Sequence, residues 1–167
     1  LVAARLVRQR ELAELALPLV VGTLWQGSWL VPYYTTETVP HGLPLTVATI
    51  NIEEGQADLD ELMAKTRVAD VIVIVEHTDA ARDGLAGRGL IKSHPHAVHI
   101  GSGVGGTSIY SRLPLEDLGA GATVFGSPVV RIHHPEGPIT FIGAHPVNPM
   151  GGAQLWVKDA AALRNAI

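Results

Sequence analysis

Five consecutive β-branched residues, Val71-Ile72-Val73-Ile74-Val75, run without a break into Glu76, His77 and Thr78. No other stretch limits the fold so tightly. A strand that is apolar at every position, and not at alternate ones, has both faces covered, so it belongs in the interior of a layered α/β or α+β domain. Its ending is the difficulty. A carboxylate at the end of such a strand is costly to bury unless something pairs with it. The rest of the sequence must supply that partner.

The chain has 167 residues, 47% apolar and 17% charged, with a formal net charge of −4. That is enough for a real core, and too apolar and weakly charged for a disordered tail. The mild acidic balance argues against a broad basic surface that grips nucleic acid. With no cysteine present, disulfides, thiol catalysis and zinc–thiolate sites are excluded. Of the eight histidines, His94, His96, His99, His133 and His134 fall in expected loops or strand edges and read as solvated surface. The chain opens on Leu1 and stops at AALRNAI with no tail, which reads as a processed or partial chain.

The first forty residues differ from the remainder. Arg5, Arg8 and Arg10 come first, Glu14 is the last acid, and residues 15–34 carry no charge. A stretch of roughly 20 uncharged, mostly apolar residues is what a helix needs to cross a bilayer. Trp25, Trp29, Tyr33 and Tyr34 crowd its far half, where amphipathic aromatics favour the interface. The arginines before the span predict a cytoplasmic N-terminal side, with everything after Tyr34 on the outer side of the membrane. A core helix kinked at Pro18 is the alternative; a signal peptide is a third, although no A-x-A-like site follows. Residues 35–44, TTETVPHGLP, read as a linker.

From residue 45 the pattern is that of an α/β domain. LTVATIN (45–51) reads as a buried strand ending at Asn51. Asp58, with Glu61 three residues later, predicts a capping box opening a helix through Leu59, Leu62, Met63 and Thr66. VADVIVIVE is the next strand, and Thr78 or Asp79 caps a short helix ending near Gly87 or Gly89. TSIYS (107–111), SPVVRIHH (127–134) and PITFIGAH (138–145) follow, the last two joined as an antiparallel hairpin by the HPEG turn. A closing helix from about Gln154 carries Trp156, Ala160, Leu163 and Ile167 on one expected inward stripe.

Three of these strands end on residues able to do chemistry: Asn51, Glu76 and His145. Residues just past strand ends are where α/β folds place their sites. Taken singly, each also reads as ordinary: Asn51 as a turn residue, Glu76 as a helix-dipole partner, His145 as a capped strand end before Pro146.

The segments TVATINIEEG, VIVIVEHT, GGTSIYSRLPL and ITFIGAHPVNP occur in an order and at separations that resemble the endonuclease/exonuclease/phosphatase superfamily. The chain looks most like its bacterial membrane-anchored members, over residues 45–167. The resemblance implies part of a four-layer αββα sandwich with mixed, mostly antiparallel sheets, preceded by a hydrophobic N-terminal helix. It implies a metal-dependent phosphoesterase cleaving a phosphodiester or phosphomonoester, in lipid head groups or nucleic acid. Glu76 would be the ligand of Mg²⁺ (or Mn²⁺), answering the question of its partner. Asn51 would sit beside it, orienting the metal's shell or contacting the phosphate. His145 would stabilise charge developing on the phosphoryl oxygens. Ser111 and Arg112 read as scaffold, and His77 is left outside the site because successive strand residues face opposite ways.

The family pattern also departs from this chain. It continues with a strand carrying GDFN and a terminal Asp-His pair, and neither appears among the 167 residues. Three readings therefore stand: the N-terminal portion of a membrane-anchored phosphoesterase, with little turnover of its own; a catalytically inactive membrane-bound interaction subunit that keeps a protein partner; or an unrelated small α/β binding domain.

Overall fold

The computed structural model describes residues 2–35 and 42–166. Two compact units make up the chain, Leu1–Gly42 and Leu43–Ile167. In the first, helix α1 spans Val2–Ser28 and continues through Pro18. It gives way to a turn in which Trp29 and Leu30 donate to the carbonyls of Gln26 and Gly27, and a short helix α2 covers Val31–Tyr34. Gly27 and Ser28 are weak helix formers, which explains the break there. The uncharged stretch at 15–34, expected as one span, is therefore divided between two helices. Among the described residues no helix is long and apolar enough to cross a membrane. The centre of the expected linker, residues 36–41, lies outside the described residues.

The second unit is built on two sheets. β1 (Val47–Asn51), β2 (Val71–Val75), β3 (His96–Ile100) and β4 (Thr107–Ser111) form a sheet in the order β1-β2-β4-β3. β1 and β2 run parallel, and the other pairs are antiparallel. β5 (Leu115–Ala120), β6 (Pro128–His134) and β7 (Gly137–Ile142) form an antiparallel three-stranded sheet. The expected β6–β7 hairpin forms. β3 and β5 were not evident as strands, because HAVHI and LEDLGA lack both a continuous and an alternating apolar pattern.

The unbroken β2 run is explained by its two faces. Ile72 and Ile74 pack on one side with Leu62, Leu85 and Leu90 from the helices α3 (Leu59–Thr66), α4 (Asp79–Gly87) and α5 (Leu90–Ser93). Val71 and Val73 pack on the other with Val98, Ile109, Val130 and Ile132, across to the second sheet. Helices, sheet and second sheet thus stack as successive layers, with β2 central and dry on both sides.

Local chemistry starts each helix. The Asp58 carboxylate accepts the N–H of Asp60 and Glu61, and the Thr78 hydroxyl accepts that of Ala81. Only half of the expected capping box forms, because Glu61 pairs with Lys65 at 2.6 Å. The last helix, α6 (Ala153–Asn165), departs further from expectation. Trp156 is exposed and the buried residue is Asp159. Ile167 lies outside the described residues. Of the five histidines read as surface only His133 is exposed: His94 is buried, and His96, His99 and His134 are half-buried. His94 uses Nε2 on the Ala69 carbonyl at 3.0 Å, and His99 uses Nδ1 on the Ser108 hydroxyl at 2.8 Å.

Candidate active site

Parallel pairing carries β1 and β2 to the same edge of the sheet, with Asn51 opposite Val75. The chain end of β2 then places Glu76 beside Asn51. The Asn51 Nδ2–H donates to Glu76 Oε1 at 2.7 Å, and the Glu54 N–H donates to Oε2 at 2.9 Å. The Glu53 N–H donates to Asn51 Oδ1 at 2.8 Å, which fixes the amide's orientation. The acid closing the apolar strand is thus held by an amide and a backbone N–H.

Backbone strain concentrates here. The described residues contain three non-glycine residues with positive φ: Glu53 at 46°, Glu54 at 57° and Glu76 at 57°. All three gather around the Asn51–Glu76 pair. A side chain in the left-handed region costs about 1 kcal/mol or more, and such residues cluster where function needs an awkward geometry.

His145 comes in from the second sheet, three residues beyond the end of β7. Its Nε2 lies 3.9 Å from Glu76 Oε1, and its side chain is 13% exposed against 22% for Glu76. Burial pushes the imidazole below its ordinary pKa, with Glu76 pulling weakly the other way, so the ring is neutral at pH 7. Nδ1 is buried with no partner. An orphaned N–H is rarer in native interiors than an orphaned acceptor, so the proton belongs on Nε2, facing Glu76. The Phe125 ring stacks on the imidazole with centroids 4.8 Å apart and planes at 34°.

Asp159 holds this half of the site together. Its Oδ1 accepts the Val124 N–H at 3.1 Å and its Oδ2 the Val147 N–H at 3.0 Å. One buried carboxylate from α6 therefore clamps the loop carrying Phe125 to the segment carrying His145. The glycine-rich loop 101–106 closes the third side. His77 donates its N–H to the Gly106 carbonyl at 2.9 Å, and a Cβ on Gly106 would stand 2.5 Å from the His77 carbonyl oxygen. Glycine is required there by close approach of two backbones.

These elements enclose a cleft of about 450 Å³ lined by Asn51, Glu54, Glu76, Val104, Phe125, His145, Pro146 and Asn148. Asn51, Glu76 and His145 are thus brought together. Glu54 and Phe125 were missed by the sequence reading. Two adjacent acids, Glu53 and Glu54, following Asn51 and Ile52 were the available signal for the first, whereas nothing local marks the second. His77 stays out of the cleft: it is fully buried, its Nδ1 2.7 Å from the Ser108 hydroxyl. The scaffold reading of the Ser-Arg pair has its contacts. The Ser111 hydroxyl accepts the Leu113 N–H, and the Arg112 guanidinium donates to the Arg67 carbonyl at the end of α3.

Among the described residues no group of three or more His, Asp or Glu is placed to hold a metal, so a closed structural cage is not available here. The donors fit a different cation. Each Glu76 oxygen accepts one hydrogen bond and keeps a lone pair, and Glu54 lines the same cleft. A hard divalent ion that retains several waters needs only one or two carboxylates.

No protein-family model and no curated protein sequence matches the chain. Among solved structures it is similar to a crystal structure of humanized D. rerio TDP2 carrying 14 mutations, at 14% identity and a TM-score of 0.58. The match covers 71% of this chain and 54% of that one, so this chain spans little more than half the length of its structural neighbour. At that identity the likeness shows the fold alone: a mixed α+β arrangement in which two sheets and their helices stack as a sandwich.

Proposed function

We propose that the cleft is the active site of a divalent-metal-dependent phosphoesterase. The observation that carries this reading is the convergence of Asn51, Glu76 and His145 on one cleft, at the single place among the described residues where non-glycine residues adopt positive φ. The phosphoesterase-like fold supports it.

Glu76 would hold the cation, Mg²⁺ or Mn²⁺, with Glu54 near enough to take part through bound water. When bound, the cation supplies Lewis-acid polarisation of a phosphoryl oxygen. Asn51 keeps the Glu76 carboxylate turned into the cleft, since its amide is itself fixed by the Glu53 N–H. His145, neutral and protonated on Nε2, donates to a non-bridging oxygen as negative charge builds there. A preorganised donor in a partly dry site is worth about 3 kcal/mol of barrier. Phe125 keeps the imidazole plane in place and shields it from water.

The test is a pair of measurements on the protein and its Glu76→Gln variant. Mn²⁺ should broaden the amide signals of Asn51, Glu54 and Glu76 in the protein and not in the variant. Hydrolysis of bis-p-nitrophenyl phosphate should require Mg²⁺ or Mn²⁺ and fall roughly 100-fold or more in the variant. Equal metal binding and equal rates in the two proteins would remove Glu76 from the metal site and end this reading.

A further inference from the structure

We infer that a groove at the opposite end of β2 from the candidate active site is a second binding site, and that it holds a small organic phosphate with a doubly charged head and an apolar substituent. The inference does not depend on the phosphoesterase reading above.

The groove, of about 330 Å³, lies where α3 and α5 end and where the chain leaves β4. Strand register fixes its place. Val71 at the start of β2 pairs with Ser111, and Val75 at the far end pairs with Asn51. Arg112 follows Ser111 and Glu76 follows Val75, so the two sites stand about one five-residue strand, roughly 17 Å, apart.

Its charge is the reverse of the cleft's. Arg67 and Arg112 both line the groove, and no acid does. Arg82, Arg88 and Arg131 each meet a carboxylate at 2.7–2.9 Å. Among the described residues Arg67 and Arg112 have no such partner. Asp70, three residues on from Arg67, accepts the Thr46 N–H at 2.9 Å and is not among the lining residues. In a chain of net charge −4, two arginines left together are out of keeping with the composition. They are also tied to one another, because the Arg112 guanidinium donates to the Arg67 carbonyl. That bond offsets the partial negative charge where α3 ends, and it uses one of five guanidinium N–H groups. The remaining donors suit a phosphate, which takes paired N–H···O bonds and relieves the repulsion between the two cations. A head with two negative charges matches them one for one, whereas a carboxylate leaves one arginine over.

The rest of the lining bears on what the phosphate is attached to. Met63 on α3 is half-buried, and buried Leu90 closes the floor. His94, also buried, donates from Nε2 to the Ala69 carbonyl at 3.0 Å, and its Nδ1 lies 2.9 Å from the Ser93 hydroxyl. Both ring nitrogens are satisfied within the protein, so this residue is a fixed wall. The groove's volume has room for a phosphate and one small ring lying on Met63.

The experiment titrates the whole chain, without divalent metal and at about pH 8, where phenyl phosphate carries two charges. Amide signals of Arg67, Ser93 and Arg112 are followed. Phenyl phosphate should shift them saturably. Benzoate, with one charge, and inorganic phosphate, with no apolar group, should each bind roughly tenfold more weakly. Arg67→Gln, a change in an exposed side chain, should weaken phenyl phosphate roughly tenfold. Unmoved groove signals, or equal affinity in the Arg67→Gln variant, would overturn the second site. So would shifts confined to Glu54 and Asn148, which would put the phosphate in the cleft instead. Benzoate or inorganic phosphate binding as tightly as phenyl phosphate would overturn the ligand class. None of these results touches the metal and hydrolysis measurements on Glu76→Gln, so the two readings fail separately.

Discussion

At the scale of single residues, the least expected finding is Asp159. A carboxylate on a helix otherwise read as amphipathic is buried, while Trp156 on the same helix is not. The reason is hydrogen bonding. Two backbone N–H groups, from Val124 and Val147, have no partner within their own loops, and each would cost about 1–3 kcal/mol if left unsatisfied in the interior. Asp159 accepts both. Asp159→Ala should therefore lower the unfolding free energy by about 3 kcal/mol, measured by urea denaturation. Asp159→Asn should cost about half of that, because one amide oxygen still accepts. If both variants were as stable as the parent, the clamp would not hold the loops. Glu54 and Phe125 teach the same lesson. They reach the cleft through loop paths that leave no periodic trace, whereas Asn51, Glu76 and His145 could be picked out as polar residues following apolar strands.

At the scale of elements, the two helix starts follow local rules and invite a local test. Asp58→Ala removes the acceptor of two N–H groups and should cost about 1 kcal/mol. Thr78→Ala should cost less, since the single bond to the Ala81 N–H is a long 3.3 Å. The glycine-rich loop answers to a contact distant in sequence. Its Gly106 lies against the backbone of His77, and Gly106→Ala should destabilise by about 2 kcal/mol and shift the Glu76 amide signal, because the strand end must move to admit a methyl group. An unmoved Glu76 signal would show that this loop does not set the cleft's third side. β3 was illegible for a related reason. HAVHI becomes a strand by pairing with β4 along its whole length, and Ser108 on that neighbour meets the His99 imidazole.

At the scale of the molecule, acid sensitivity is set by buried histidines. His77 is fully buried, and its pKa is pushed down to about 4, first by burial, then by the neighbouring His99 and Arg82. His94, His99 and His145 are lowered by burial as well. Above about pH 6.5 folded and unfolded chains both carry these rings neutral, and the fold keeps its full stability. As pH falls below that, the unfolded chain takes up protons that the folded one refuses, so stability declines until about pH 4. For His77 the loss should be about 3 kcal/mol, and unfolding curves of the His77→Asn variant at about pH 7.5 and 4.5 should show a correspondingly flatter pH dependence. An unchanged dependence would assign the acid sensitivity to other groups. The unit Leu43–Ile167 contains both packed clusters of the sandwich, so residues 43–167 made alone should unfold cooperatively with a Tm within a few degrees of the whole chain.

The sequence by itself determined that one strand must be dry on both faces, that a turn and cap chemistry surround it, and that three apolar segments end on polar groups. These are short-range properties, written in the order of residues along a few turns or one strand. Only the tertiary structure decided that the three endings share one cleft, that the acid is met by an amide and a backbone N–H, and that a helix carboxylate and a phenylalanine hold the histidine in place. Such contacts join residues as far apart as Asn51 and Glu76 or Val124 and Asp159. Their partners are chosen by sheet order and loop closure, which no local pattern of residues encodes.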